Sequence, residues 1–173
     1  DLRYPAGRFS APEVISPADI RVWISELERL PERLRAAVSG LSPRQLGTPY
    51  RPGGWTLRQV VHHLPDSHMN AYIRFKLALT EDNPVIRPYR EDLWAETGEA
   101  REGDVLVSLD LLESLHRRWV RLLGTISPEG FRRTYYHPEA QQTYRLDTVL
   151  GLYAWHGTHH LAHITNTIRR QGW

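Results

Sequence analysis

The apolar residues of this chain recur every three to four positions through four long stretches, and this spacing constrains the fold more than any other feature. It is typical of amphipathic α-helices, in which residues three, four and seven apart lie on one face. No stretch keeps the alternation of apolar and polar side chains that a half-buried strand shows, and only residues 134–144 suggest a short hairpin. The sequence therefore predicts an all-α fold, a four-helix bundle with long loops in which residues 1–173 form one domain.

The ends of the predicted helices follow from capping residues, prolines and glycines. Thr56 begins the second helix, since Gln59 three residues later completes a capping box. Pro31 is expected to bend or split the first helix, and Pro65 to kink the second. The polar residues 81–103 form a connection with one helical turn near residues 92–96. The four long helices are expected at about residues 16–40, 56–79, 105–123 and 146–170.

Composition excludes several classes of protein. The chain of 173 residues has no cysteine, so it can form no disulfide and offers no thiolate as nucleophile or metal ligand. Its net charge is only +2 and its arginines are scattered, which argues against nucleic acid as a partner. No apolar run is long enough to cross a bilayer, and the start of the chain does not resemble a signal peptide. We therefore expect a cytoplasmic protein without membrane contact.

Histidines are concentrated in two short segments. Seven of the nine lie within residues 62–68 and 156–163. On a helical wheel the four histidines of the second segment fall within an arc of about 100° and share one face. Two pairs have the four-residue spacing at which two imidazoles on one helix can bind one metal ion, and the spacing does not choose between them. These pairs are His156 with His160, and His159 with His163.

The first histidine segment lies on a predicted helix that also carries a polar stripe. Such a stripe within an apolar helix either meets solvent or lines a polar cavity. His63 is the stripe's candidate metal ligand, and Asp66 and Asn70 are candidates to hold a ligand by its second nitrogen. His62 and His68 flank His63 and are candidates for the cavity wall. The stripe consists of Gln59, His63, Asp66 and Asn70.

The remaining histidines and the tryptophans have simpler explanations. His116 and His137 stand apart from the clusters, and a lone histidine is usually a surface or hydrogen-bonded residue. Trp23 and Trp119 have the spacing of core residues. The chain has no phosphate-binding glycine loop, no serine elbow and no dinucleotide-binding fingerprint. The histidines are thus the main indication of chemistry.

Two segments resemble the DinB/YfiT-like superfamily, and within it the metal-dependent hydrolases of the YfiT type. They are residues 50–64, with Pro-Gly-Gly-Trp and a later His-Leu pair, and residues 155–165, with two overlapping HxxxH pairs. The resemblance implies a four-helix bundle, often dimeric, that holds one zinc or nickel ion through three histidines. Matched to this chain, the ligands are His63, His159 and His163.

The resemblance and the histidines leave three functions open. Three neutral imidazoles leave a divalent ion its full charge and open positions, so that a bound water could ionise near neutral pH or an added thiol could bind as thiolate. The first reading is a hydrolase of a small molecule, with Asp66 as the candidate general base. The second is a transferase of a low-molecular-weight thiol, such as the bacillithiol used by some superfamily members; that thiol must be a cosubstrate because the chain has no cysteine. The third is a metal-binding or small-molecule-binding protein without turnover.

Overall fold

Four long helices dominate the computed structural model, which describes residues 1–173. The prediction of a four-helix bundle is confirmed. The long helices are α1 (Pro17–Val38), α3 (Leu57–Thr80), α6 (Val105–Leu123) and α7 (Leu146–Gln171). The short elements are α2 (Pro43–Leu46), α4 (Glu91–Trp94), α5 (Gly98–Glu102), a 3₁₀ turn (Gly130–Arg132), β1 (Thr134–His137) and β2 (Gln142–Arg145).

The capping residues act as the sequence indicates. The hydroxyl of Ser16 accepts a hydrogen bond from the amide of Asp19, and the Asp19 carboxylate accepts one from the amide of Ser16. Thr56 and Gln59 form the same reciprocal pair at the start of α3. Each pair satisfies two amide groups that a helix N-terminus would leave without partners.

Both internal prolines are accommodated within continuous helices. Pro31 lies inside α1 and Pro65 inside α3, so the first helix is not split. A proline has no amide hydrogen, and the carbonyl group four residues before it loses its helical partner. In α1 this leaves the carbonyl of Leu27 free to accept a hydrogen bond from outside the helix.

The long helices pack in a closed ring. Helix α1 packs against α6 and α7, and α3 packs against the same two helices, so α1 and α3 lie diagonally opposite each other. Gly157 permits the close approach of α7 to α1, because a Cβ atom there would overlap the side chain of Leu30. Helix α7 thus lies between α1 and α3 and contacts both.

The connections between the long helices carry the remaining structure. Strands β1 and β2 form the predicted hairpin, with Thr134 opposite Arg145 and His137 opposite Gln142. The connection over residues 81–103 contains two short helices, α4 and α5, where one helical turn was predicted. None of the helices combines the length and the apolar character that crossing a bilayer requires.

Candidate metal centre

Three histidines from two helices converge at the interface of α3 and α7. One ligating nitrogen each from His63, His156 and His160 lies within 4.8 Å of the other two. The Nε2 atoms of His63 and His156 are 3.3 Å apart. Two nitrogens bound at about 2.0–2.1 Å to one tetrahedral ion lie roughly 3.3–3.4 Å apart, so this separation suits a shared ion.

The other pair on α7 is engaged elsewhere. His163 Nε2 lies 3.2 Å from the carbonyl oxygen of Arg3, and its ring stacks on Tyr50 with centroids 3.9 Å apart. His159 stacks on Trp155, with centroids 4.5 Å apart, and its Nδ1 is buried without a hydrogen-bond partner. The structure therefore groups His63 with the pair at 156 and 160. It does not place His159 and His163, the pair matched from the resemblance, in that group.

The clustered histidines are held in their neutral form. Burial lowers the pKa of His63 to about 4. Burial, with the neighbouring histidines as a further cause, places the pKa of His156 and of His160 well below the ordinary value. A neutral imidazole keeps one nitrogen without a proton, which is the form that binds a metal ion.

A series of hydrogen bonds assigns the proton on His156; we call it the long relay, and it consists of Leu27, His116, His68 and His156. The Leu27 carbonyl, left free by Pro31, lies 2.6 Å from His116 Nδ1 and can only accept, so that nitrogen donates. His116 Nε2 is then unprotonated and accepts from His68 Nδ1 at 2.9 Å. His68 Nε2 in turn accepts from His156 Nδ1 at 3.2 Å. The His156 Nε2 that faces His63 is therefore left without a proton.

A second series does the same for His160; we call it the short relay, and it consists of Arg3, His163 and His160. His163 Nε2 donates to the Arg3 carbonyl, so His163 Nδ1 is unprotonated. That nitrogen lies 3.4 Å from His160 Nδ1 and accepts from it. His160 Nε2 is then the nitrogen without a proton. Both relays start at a backbone carbonyl and end on a clustered histidine, the arrangement by which proteins orient metal-binding imidazoles.

The other polar residues predicted on α3 lie outside the cluster. His62 contacts the hydroxyl of Ser108 through Nδ1 at 2.7 Å and the carbonyl of Gly103 through Nε2 at 3.3 Å. Asn70 donates from its side chain to the backbone carbonyl of Asp66, not to a histidine. Asp66 is half-buried and does not line the cavity beside the cluster; burial and Glu99 raise the pKa of its carboxyl to about 6.

The clustered histidines form one wall of a cavity of about 470 Å³. Trp55, the last residue of the Pro-Gly-Gly-Trp segment, covers His63 with ring centroids 4.8 Å apart. A second cavity, of about 380 Å³, shares Glu91, Asp92 and His156 with the first, so the two adjoin at the histidines. Together they give a small molecule access to the cluster. The first cavity is lined by Arg3, Tyr4, Tyr50, Arg51, Gly53, Gly54, Trp55, His63, Glu91, Asp92, Trp155, His156, His159, His160 and His163.

Sequence reasoning missed the supporting residues. His116 is indeed a hydrogen-bonded residue, as a lone histidine usually is, but its partners are Leu27 and His68, which places it inside the long relay. Glu91 and Arg74 line the second cavity and belong to no motif. The one available signal was Pro31, which predicts a free carbonyl at Leu27 without indicating what binds it.

The fold and the three converging histidines define a helical bundle with a candidate metal centre, and comparisons with known proteins agree. The sequence profile of the DinB superfamily matches residues 26–164. The chain therefore belongs to the DinB superfamily, and the resemblance noted in the sequence is confirmed.

Similar proteins carry names that point to metal-dependent hydrolysis. A Bacillus cereus (strain 03BB102) protein and a Bacillus anthracis (strain CDC 684 / NRRL 3495) protein, each named "Putative metal-dependent hydrolase", are 54% identical over 173 residues, covering 100% of this chain and 99% of theirs. A solved structure is described as "YfiT from Bacillus subtilis is a probable metal-dependent hydrolase with an unusual four-helix bundle topology". It matches with a TM-score of 0.98 and 51% identity, covering 99% of this chain and 98% of that one.

Proposed function

We propose that this protein is a metal-dependent hydrolase of a small molecule, with one zinc or nickel ion held by His63, His156 and His160. The observation that carries the proposal is the convergence of these three neutral imidazoles, from two helices, on the wall of a cavity. Imidazole nitrogen suits both metals. A divalent ion bound by three neutral ligands supplies Lewis acidity to a substrate group at its open positions. The relatives' names support hydrolysis as the reaction.

The residues around the cluster have defined parts in this proposal. The two relays hold the proton on the Nδ1 of His156 and of His160, so that both rings present an unprotonated Nε2. Trp55 packs on His63 and excludes water from that side. Glu91 is exposed but lines both cavities, and desolvation by the cavity walls together with Asp92 raises the pKa of its carboxyl. We assign proton transfer to Glu91, since Asp66, the base predicted from the sequence, lines neither cavity.

The proposal is tested by metal analysis and by a hydrolysis screen on metal-free and reloaded protein. We expect one zinc or nickel ion per chain, and hydrolysis of amide or ester probes that disappears with a chelator and returns with the ion. Glu91→Gln should lower kcat more than Asp66→Asn does. A protein that binds no ion, or hydrolysis that the chelator leaves unchanged, would contradict the proposal. Turnover of electrophiles only when a low-molecular-weight thiol is added would favour thiol transfer instead.

The long relay predicts a loss of metal affinity from a residue that is not a ligand. His68→Phe fills the same space but cannot hydrogen bond to His156, so the proton on that ring is no longer assigned. We expect metal affinity to fall about 10–100-fold, as is usual when such a partner is removed. Titration with nickel measures the affinity, and ¹⁵N NMR of the imidazoles should show loss of the single tautomer of His156.

A matched control for His68 is available on the same helix. His62→Phe also removes a buried, hydrogen-bonded imidazole, but His62 contacts Ser108 and Gly103 rather than the cluster. It should leave metal affinity within about twofold of the unmodified protein. Equal losses in the two variants would mean that the long relay acts only through general packing.

A further inference from the structure

The second cavity contains a buried arginine without a counterion. Arg74 of α3 is 8% exposed, and its guanidinium forms an ion pair with no carboxylate of the structure. Its polar neighbours are neutral groups: Tyr135, whose hydroxyl can accept a hydrogen bond from it, and the side chains of Tyr89, Tyr153 and His137. A buried charge without a partner destabilises a fold, so its presence calls for a ligand that completes it.

Two tyrosine hydroxyls of the same cavity are also free to donate. The Tyr89 hydroxyl is buried and has no hydrogen-bond partner. The Tyr153 hydroxyl accepts from Ser67 at 3.5 Å, which leaves its own hydrogen available. The wall around Arg74 therefore offers a positive charge and two hydroxyl donors, a combination that binds oxyanions.

The carboxylates of this cavity do not neutralise the arginine. Asp92 is paired with Arg90 at 2.9 Å. Glu91 and Glu139 are exposed, and neither lies within ion-pairing distance of Arg74. A ligand oxyanion in this cavity would thus contact a guanidinium that no carboxylate neutralises, although Glu91, Asp92 and Glu139 also line the cavity.

We propose that Arg74, with Tyr89 and Tyr153, binds a carboxylate or phosphate group of the substrate while the reacting part of the same molecule lies at the histidine cluster. This inference rests on the proposed metal site and deepens it, because it defines the substrate as a small molecule with an oxyanion at one end. His156 lines both cavities, and its ring lies 5.5 Å from that of Tyr153, so a single ligand can span the two regions.

The positions on α3 give the length of that substrate. His63 and Arg74 are eleven residues apart, a rise of about 16 Å between their Cα atoms along the helix. Side chains on a helix lean toward its N-terminus, so the guanidinium of Arg74 reaches back toward the cluster and shortens this gap. The oxyanion and the reacting bond must therefore be separated by several bonds, and a short acid such as acetate cannot contact both.

A chain-length series of monohydroxamates tests the proposal by binding, without turnover. The hydroxamate end chelates a divalent ion, and the other end carries a carboxylate, a phosphonate or a neutral methyl ester. In nickel-loaded protein, calorimetry should show that the adipic or suberic carboxylate or phosphonate binds at least tenfold more tightly than its methyl ester. The acid that shows the larger gain identifies the group that the site takes.

Variants of Arg74 separate this site from the metal centre. Arg74→Gln should abolish the preference for the charged probe and leave the methyl ester affinity and nickel content unchanged, whereas Arg74→Lys should restore part of the preference. Without ligand, Arg74→Gln should raise Tm by several degrees, because an unpaired buried charge is removed. Lys76→Gln, an exposed charge on the same helix, is the matched control and should change neither quantity.

The outcomes distinguish failure of this inference from failure of the proposed function. Equal affinity for charged and neutral probes at every length, or a preference that survives Arg74→Gln, would overturn the oxyanion site while leaving the metal site intact. If the protein binds no nickel, the same comparison is made with adipate on metal-free protein, using Tm. A rise with adipate that Arg74→Gln abolishes then supports the oxyanion site alone, and no rise overturns it.

Discussion

Replacing His160 with alanine is expected to abolish stoichiometric binding of a divalent ion, whereas replacing its neighbour His159 is not. The ligating nitrogens of His63, His156 and His160 lie within 4.8 Å of one another, and His159 is outside this group. Loss of one of three ligands should lower affinity by more than the roughly hundredfold that removal of a mere supporting partner can cost. Elemental analysis after dialysis and titration with nickel provide the measurement.

The comparison is well matched because both residues are buried on the same helix and each variant removes one imidazole. Circular dichroism should show that both variants keep their helical content. His163→Ala should fall between them, since His163 supports His160 through the short relay. Metal loss in His159→Ala with retention in His160→Ala would instead favour the ligand set that the resemblance implied.

The long helices were predictable because amphipathic spacing and capping are local properties of the sequence. The third long helix was expected at residues 105–123, and the structure has it at Val105–Leu123. The effect of Pro31 was not predictable in the same way. Its cost to α1 is reduced because His116, from a helix that is distant in the sequence but packs against α1, donates to the carbonyl of Leu27. Such compensation depends on tertiary packing and leaves no local pattern.

The candidate site was predictable as a region but not as a set of ligands. His63 was identified on its polar stripe and lies in the cluster. Which pair on α7 faces His63 depends on how that helix is rotated about its own axis against α3. The two pairs have equal spacing and lie on one face, so the sequence does not determine this rotation. Glu91 enters the cavity only because residues 81–103 fold back over the bundle, which helical periodicity does not describe.

Metal-free protein is expected to lose stability steeply as pH falls from about 6.5 to 4. Burial lowers the pKa of His116 to about 4 in the folded protein, whereas an unfolded histidine titrates near 6.5. Above pH 6.5 both states are neutral at this residue and it contributes no pH dependence. Between these values the unfolded state binds a proton that the folded state does not, so the free energy of unfolding decreases by up to about 3 kcal/mol for this one histidine.

Burial also lowers the pKa of His63 and His163 to about 4, so these histidines act in the same direction and the total loss of stability should exceed that of His116 alone. Urea unfolding of chelator-treated protein at a series of pH values measures the slope. His116→Gln should reduce that slope by about one proton between pH 6 and 5, because the variant lacks one of the groups that must become charged. His116 is not a metal ligand, so its contribution to the pH dependence of the unfolding free energy should persist after the ion is restored. Proton NMR of the unmodified protein gives an independent check: titration of the His116 ring near pH 6.5 would contradict the assignment.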